Sequence, residues 1–490
     1  GTPLSAMERR QQDIHVPILT QQQGPTEDAS DSDNDDIAFV RPSASGWLEP
    51  PPLKRTYSVT RLLGLGAGST SACIYNLFSS VLGAGVLGLP YAAKRYGFVG
   101  GILLIVPFAI TSLYTLRLLQ WAAALSCTNN YRELCAFTVG QRYPFTLHLI
   151  SVIIFFNTFG SLVVYLIVLG DLISGFASMV GGTPGGGSLL DIIAQPALVI
   201  IVLGVGVAMP LSLVKNLSSL RYTSFLSLAS IVYLAVMLTV RTIQQVFSDR
   251  GASVEAALAM PPREIPALLG GLPTFIYAFS CHFNYFAAVD GLKKKTQRKM
   301  LTVQTGSIVL SLLVYVAIVA TVLLLFAERT ESDFLVNLPR ADNAFNVAKV
   351  TYTMVLIAAY PLNCHPCVRA LLDEMGEAGK KEATRNVATV CVVATSIILA
   401  IYCPNISVAL GLVGGTATSS VIYIFPALFF LNLSRVGSPA ASPMRSDGRP
   451  KTEKEMSLVH RVPFHRFFCF MLLGLGAFAW TCSVIGLFSG

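Results

Sequence analysis

Residues 72–92 form a stretch whose glycines could open the backbone to a solute. The stretch is apolar and has about the length needed to cross a 30 Å hydrocarbon core, yet it contains Gly83, Gly85, Gly88 and Pro90. In lipid, irregular backbone is tolerated only where it is buried in protein or lines a cavity. We therefore interpret this stretch as a discontinuous helix that holds a small solute.

A second apolar stretch, residues 268–292, has the same character. Two glycines and Pro273 lie in its outer part. Four polar or sulfur-bearing residues follow near its middle, namely Ser280, Cys281, His282 and Asn284. It is the fifth apolar stretch after the first, which is the place where an inverted repeat puts a second interrupted helix.

The chemistry of the two breaks follows from the ends of helices. A half-helix that begins near Gly85 offers free amide N–H groups and a positive dipole end to a carboxylate, and glycine allows a close approach. Carbonyls left free where the first half stops suit an ammonium group. Together these groups would recognise the backbone of an amino acid. The predicted substrate-binding residues at the breaks are Ser80, Gly83, Ala84, Gly85, Phe279, Ser280, Cys281, His282 and Asn284.

The composition indicates which type of secondary structure positions these residues. The 490 residues are 53% hydrophobic and 13% charged, with a mean hydropathy of +0.61. This composition excludes a soluble globular protein and predicts an all-α polytopic protein of the lipid bilayer. The net charge of +8 is attributed to basic loops on one side of the membrane, so no nucleic-acid partner is expected.

Eleven apolar stretches are long enough to be transmembrane helices. They cover residues 72–92, 99–125, 146–180, 196–214, 220–242, 268–292, 301–327, 346–371, 386–403, 406–433 and 464–488. Residues 1–70 are polar and acidic and predict a disordered tail, so residues 71–490 form the membrane domain.

Lysine and arginine are concentrated in the loops that lie on the side of the amino terminus, which predicts a cytosolic amino terminus. The plasma membrane and a vacuolar or lysosomal membrane remain equally open. No enzyme motif is present, and neither a cofactor nor a metal site is predicted, because Cys364, His365 and Cys367 lack further ligands and are typical of helix packing.

Three motifs resemble the amino acid/auxin permease family. They are Asn76-Leu77 with residues 83–92, Phe279-Ser-Cys-His-Phe-Asn284, and residues 360–366 with Arg369. The sequence looks closest to protozoan amino-acid permeases and to the sodium-coupled neutral amino acid branch. The resemblance implies a five-plus-five inverted repeat with broken helices 1 and 6 and an added eleventh helix.

The resemblance also bears on the coupling ion. The sodium-coupled branch uses an amide residue in the first span and a hydroxyl residue in the eighth as sodium ligands, and those places hold Ser79 and Ala359 here. Alanine offers no side-chain oxygen, so the sequence favours a proton over sodium. The predicted ion-coupling residues are Asn76, Ser79 and His282.

Asp171, in the outer half of the third span, is a further candidate for substrate binding. An ionisable residue within a span is a functional hypothesis by default. Asp171 could bind a cationic side chain or shuttle protons, or it could be hydrogen-bonded at the water-exposed end of a long helix. Likewise, His282 could titrate near physiological pH or have a structural role.

These observations predict a secondary active amino-acid transporter that works by alternating access and is driven by symport with protons. The substrate is either cationic, meaning arginine or lysine, or neutral. The alternative is a membrane amino-acid sensor, or transceptor, that signals through its cytosolic tail.

Overall fold

The computed structural model describes residues 69–83, 85–126, 128–181, 191, 194–214, 223–292, 295–339, 342–433 and 463–488. All regular elements within these ranges are helical. The predicted disordered tail lies almost entirely outside the described residues.

The helices are numbered here in chain order. They are α1 (Thr70–Val81), α2 (Gly85–Lys94), α3 (Gly97–Ser126), α4 (Tyr131–Cys135), α5 (Phe145–Met179), α6 (Pro196–Leu213), α7 (Thr223–Ser248), α8 (Ala252–Leu258), α9 (Ile265–Ala278), α10 (Tyr285–Asp290), α11 (Gln297–Phe326), α12 (Phe334–Asn337), α13 (Asn343–Glu374), α14 (Glu382–Tyr402), α15 (Ile406–Leu433) and α16 (Pro463–Phe488).

Nine of the described helices are long and apolar enough to cross a membrane, and the bent pair of α1 and α2 makes ten. The predicted sixth span is shorter than one crossing as a single helix, because α9 has 14 residues and α10 has six. The fold is therefore that of a polytopic membrane protein. The eleventh crossing and the inverted repeat stay predictions.

The first predicted interruption is present in the structure. Helix α1 ends at Val81, α2 begins at Gly85, and the two helices meet at 55°. A Cβ atom on Gly85 would lie 2.8 Å from the Cα atom of Ala278, closer than real Cβ atoms approach. Glycine is thus required at this position because the start of α2 rests on the end of α9.

The second stretch is interrupted at residues 279–284, between α9 and α10. Its glycines and Pro273 stay inside α9, so the break coincides with the polar residues rather than with the helix breakers. Cys281 and His282 within the break are fully buried. Irregular backbone at this depth is therefore enclosed by protein, as the absence of water in a bilayer requires.

Helix α5 is the most buried of the candidate spans and forms the centre of the packing. It contacts α6, α13, α14 and α15. Its 35 residues correspond to about 52 Å at 1.5 Å per residue, so it is longer than a perpendicular crossing needs. This buried helix provides a fixed wall beside the two broken helices.

Candidate functional site

A cavity of about 220 Å³ lies where the two interruptions meet, and we call it the central cavity. Its walls come from α1, α5, α7, α9, α10, α13 and the two breaks. The residues that line it are Asn76, Ser79, Ser80, Val81, Leu82, Gly83, Gly85, Asn157, Ser161, Tyr165, Ser227, Tyr277, Ser280, Phe283, Asn284, Ala287, Ala288, Tyr352, Val355, Leu356, Ala359, Leu362 and Asn363.

The first break brings backbone close to the space inside the cavity. A Cβ added to Gly83 would lie 3.4 Å from the Tyr165 hydroxyl, which is ordinary van der Waals contact. Helix α2 starts at Gly85; the Val86 amide donates to the Gly83 carbonyl at 3.3 Å, and the other amides of the first turn have no intrahelical acceptor. These amides and the positive end of the helix dipole suit a carboxylate.

Tyr315 of α11 connects the two breaks. Its hydroxyl lies 2.7 Å from the carbonyl oxygen of Val81, where α1 ends, and 2.7 Å from that of Ala278, where α9 ends. The side chain is fully buried. A hydroxyl has one proton to donate, so the two carbonyls share it. The end of α1 and the end of α9 are thereby held at one common point.

A polar stripe on α5 forms the opposite wall. Asn157, Ser161 and Tyr165 recur every four residues and so face the same direction on the helix. The Ser161 hydroxyl is hydrogen-bonded to the Tyr277 hydroxyl at 2.7 Å, and the Asn363 amide donates to the Tyr165 hydroxyl at 3.3 Å. The stripe therefore links α5 to both α9 and α13.

The central cavity carries no formal charge among the residues described. Its lining includes no aspartate, glutamate, lysine, arginine or histidine, while hydroxyl and amide side chains are frequent. The Ser280 hydroxyl is buried and has no hydrogen-bond partner within the described ranges. A buried polar group of this kind favours a ligand that hydrogen-bonds to it.

One end of the central cavity is open and the other is closed. At the end formed by α1 and α10, the lining residues Asn76 and Ala287 are exposed. At the other end α2 rests on α9, and the Tyr96 hydroxyl that follows α2 donates to the Leu268 carbonyl. The Arg95 guanidinium adds a hydrogen bond of 3.1 Å to the carbonyl of Ala267. The cavity is thus sealed on the side of α2 and accessible on the side of α1.

The structure brings many of the predicted site residues together. Those that line the central cavity are Asn76, Ser79, Ser80, Gly83, Gly85, Ser280 and Asn284. Ala84 lies outside the described residues. Phe279, Cys281 and His282 are buried within the second break and do not line the cavity.

His282 faces α3 rather than the cavity. Its Nε2 atom lies 2.8 Å from the Thr115 hydroxyl, and the side chain is completely buried. A second residue of α3 binds the backbone of the same break, since the Ser112 hydroxyl donates to the Phe279 carbonyl at 3.3 Å. These contacts favour the structural alternative for His282, with α3 anchoring the second break.

Asp171 lies in a separate cavity of about 390 Å³, which we call the acidic pocket. The charged residues of its lining are Asp171, Glu331, Asp333 and Lys349. Asp171 is six residues beyond Tyr165 on α5, or about 9 Å along the helix axis. The structure therefore does not place Asp171 beside the other predicted substrate-binding residues.

Asp333 is the most enclosed charge of the acidic pocket. One carboxylate oxygen caps the short helix α12 by accepting from the Leu335 amide at 3.0 Å, and the other has no partner among the described residues. Burial raises the pKa of Asp333 to about 7; the Leu335 hydrogen bond and the charge of Lys349 oppose the rise, and the charge of Asp171 adds to it. Asp333 is therefore partly protonated near neutral pH.

Four tyrosines of the site were not predicted from the sequence, and one of them is Tyr165, which lines the central cavity on α5. Tyr277 and Tyr352 line the central cavity, and Tyr315 binds the ends of α1 and α9. A signal existed for the α5 wall, because Asn157, Ser161 and Tyr165 form a polar stripe in an otherwise apolar span. Tyr315 also ends a polar series on α11, since Ser307, Ser311 and Tyr315 recur every four residues, but this spacing does not show which segments its hydroxyl contacts.

Comparison with known proteins adds sequence relatives to this geometry. Residues 66–446 match the family described as "Transmembrane amino acid transporter protein". The putative sodium-coupled neutral amino acid transporter 11 of Rattus norvegicus is 30% identical over 403 residues, which cover 81% of this chain and 86% of the relative. The amino acid transporter AVT6E of Arabidopsis thaliana is 30% identical, covering 76% and 77% of the two chains. The vacuolar amino acid transporter 5 of Schizosaccharomyces pombe is 26% identical, covering 77% and 88%.

Proposed function

The chain belongs to the family of transmembrane amino acid transporters, and from this premise we propose that it is a secondary active transporter that works by alternating access. The observation that carries the proposal is the central cavity, which lies at two helix breaks and is accessible from one end only. Transport requires that α1 and α10 close this end while α2 and α9 separate at the other. With a cytosolic amino terminus, the structure corresponds to an inward-facing state.

The substrate we propose is a zwitterionic amino acid with a neutral side chain. Amides at the start of α2 bind its carboxylate, and carbonyl and hydroxyl oxygens at the breaks bind its ammonium group. A cationic side chain in the central cavity would lack a counter-charge among the described lining residues. Burying such a charge unpaired is costly, which favours neutral over cationic substrates.

A cationic amino acid is the second candidate, and the acidic pocket is the observation in its favour. Asp171 and Asp333 lie on the sealed side of the central cavity, where a substrate from that side would arrive. A lysine or arginine side chain that extends toward them would find a counter-charge. This candidate requires both carboxylates for uptake of cationic substrates.

The coupling ion we propose is a proton. Ser79 and Ala359 both line the central cavity, and the methyl group of Ala359 supplies no oxygen ligand there. Sodium is the alternative, since the rat relative is named as sodium-coupled. The membrane is either the plasma membrane or a vacuolar or lysosomal membrane, and a relative named as vacuolar is consistent with the second location.

Uptake into proteoliposomes tests the proposal. The purified full chain is reconstituted, and entry of a radiolabelled neutral amino acid is followed with and without an imposed pH gradient and with and without sodium. We expect saturable uptake that the pH gradient stimulates and a protonophore abolishes, with empty liposomes as the control. Saturable binding without any uptake would contradict transport and support the sensor alternative.

A further inference from the structure

A third cavity, of about 500 Å³, lies between α6, α13 and α14, and we call it the basic pocket. It shares no lining residue with the central cavity. Its lining consists of Ser212, Cys364, His365, Pro366, Val368, Arg369, Leu372, Arg385 and Thr389.

The charge of the basic pocket is of one sign. Arg369 and Arg385 are its permanent charges, and no aspartate or glutamate is among the lining residues that the structure describes. The nearest carboxylates of α13, Asp373 and Glu374, are engaged elsewhere by Arg132, at 3.5 and 3.2 Å. The pocket therefore has an excess of positive charge that a soluble cation or a zwitterion does not balance.

One buried donor of this pocket has no hydrogen-bond partner within the described ranges. The Nη2 atom of Arg385 donates to the Leu213 carbonyl at 3.0 Å and to the Asn386 side chain at 2.8 Å, which fixes the guanidinium, yet its Nε atom has no partner. Buried donors without acceptors are costly, and phosphate oxygens are strong acceptors for arginine.

An apolar groove of about 460 Å³ adjoins the pocket and shares Arg385 with it. Along this groove Val387 and Val390 of α14 are 63% and 39% exposed, although α14 is a candidate membrane span. Glu382 lies at the start of α14 and is the acidic member of the groove lining. The molecule thus presents a cationic pocket next to an apolar surface that a hydrocarbon chain would cover.

We propose that the basic pocket and the adjoining groove bind one anionic phospholipid, with the phosphate of its head group at Arg369 and Arg385 and an acyl chain along Val387 and Val390. The two arginines supply charge complementarity, and the groove supplies the apolar contact that a free phosphate lacks. A bound lipid would connect α6 and α14 to α13, which also contributes Tyr352 to the central cavity.

Native mass spectrometry of the purified full chain in detergent tests this site. The probes are phosphatidylinositol 4-phosphate, phosphatidylserine and phosphatidylcholine, each added at the same concentrations. We expect the anionic lipids to bind at least about 5-fold more tightly than phosphatidylcholine, since each arginine near a lipid surface contributes on the order of 1 kcal/mol. Equal binding of all three lipids would overturn the proposal.

Two variants locate the site. Arg369→Gln should weaken binding of the anionic lipids by about 5-fold, and Arg385→Gln by at least as much. Arg369 is exposed and makes no hydrogen bond or ion pair with the described residues, so Arg369→Gln isolates the charge even if Arg385→Gln loosens the end of α6. Lys380→Gln is the matched control, because Lys380 is exposed, pairs with Glu377 and lies outside the pocket.

The result that would overturn the location is unchanged lipid binding by both arginine variants with the control also unchanged. A separate arm adds excess inorganic phosphate. We expect phosphate to leave the lipid adducts in place, because it cannot replace the acyl contacts. Displacement by inorganic phosphate would contradict a lipid site and indicate one for a soluble anion.

Discussion

The central cavity and the acidic pocket are built on the same two helices and differ in charge. Helix α5 contributes Tyr165 to the first and Asp171 to the second, and α13 contributes Tyr352 to the first and Lys349 to the second. In each helix the lining changes from a hydroxyl group to a charge within two turns. The charges are kept at the sealed end, and the space at the breaks is lined by neutral dipoles.

This difference has a physical reason. A zwitterion brings both of its charges into the site, and helix-end amides and carbonyls can neutralise them without an ionised side chain that would itself need a partner when the site is empty. A site of this kind recognises the group common to amino acids. The comparison predicts that changes at the breaks affect transport strongly and that changes in the acidic pocket affect it weakly.

The largest effect is expected from Gly85→Val. The added Cβ would collide with the backbone of Ala278, so α2 and α9 could not meet as they do in the sealed state. Overpacking of this kind costs about 1–3 kcal/mol, and we expect uptake to fall at least 10-fold. Gly474→Ala is the control, because nothing lies within 4 Å of a Cβ at that position. Normal uptake by Gly85→Val would show that this contact is not needed.

Tyr315→Phe should have the next largest effect. The change removes the hydroxyl that both Val81 and Ala278 carbonyls share and leaves two buried acceptors without it. The expected cost of about 1–3 kcal/mol corresponds to roughly a 10-fold fall in uptake rate. Tyr233→Phe is the matched control, since among the described residues the Tyr233 hydroxyl binds only the Ala344 carbonyl. Equal effects of the two variants on uptake would argue against a special role for Tyr315.

A smaller effect concerns pH and the acidic pocket. Asp333 has a pKa of about 7 in the fold against an ordinary value of 3.8, because it is buried. The folded state binds this proton more tightly than the unfolded chain does, so the contribution of Asp333 to stability is complete below the ordinary value and is lost as pH rises through about 7.

We therefore expect Asp333→Asn to reduce the fall in thermal unfolding midpoint between about pH 5 and about pH 8, while asparagine keeps the cap on α12. Asp342→Asn is the matched control, because Asp342 also caps a helix and is paired with Arg241, whose charge is constant over this range. Asp342→Asn should change the thermal unfolding midpoint by a similar amount at about pH 5 and at about pH 8. If the unfolding midpoint of Asp333→Asn fell with pH as steeply as that of the wild type, Asp333 would not be the group responsible.

The smallest effect is expected from Asp171→Asn. Asp171 does not line the central cavity, so uptake of a neutral amino acid should change by less than about 3-fold. Losing a hydrogen bond to a charged group of the substrate would have a larger effect. Uptake kinetics of labelled neutral and cationic amino acids check this. Loss of neutral uptake would place Asp171 in the transport mechanism, and selective loss of arginine or lysine uptake would support the cationic candidate.

The local features of the fold could be predicted from the sequence. Glycine at 83 and 85 in an apolar stretch indicated the first break, and the polar residues 280–284 indicated the second, because lipid penalises unsatisfied backbone wherever it occurs. The helix bounds differ from the predicted spans by a few residues for most helices. In the first stretch the glycines mark the interruption, whereas in the second Gly270, Gly271 and Pro273 stay inside α9 and the interruption falls at the polar residues that follow.

Contacts between distant segments could not be predicted in this way. Ser307, Ser311 and Tyr315 recur every four residues in α11, but this spacing does not show that the Tyr315 hydroxyl reaches the ends of both α1 and α9. The direction of His282 depends on the irregular turn at 279–284, which has no helical period. The place of Asp171 depends on the folding of residues 331–337 against α5, a long-range contact.

The most direct test of the account is competition for uptake. Proteoliposomes containing the full chain take up one labelled neutral amino acid while each of the twenty unlabelled amino acids is added in equal excess, at two pH values and with and without sodium. We expect neutral amino acids to compete and arginine and lysine not to, with stimulation at the lower external pH and no need for sodium. Competition by arginine or lysine at the level of the best neutral amino acid would contradict the claim that the uncharged central cavity selects the substrate.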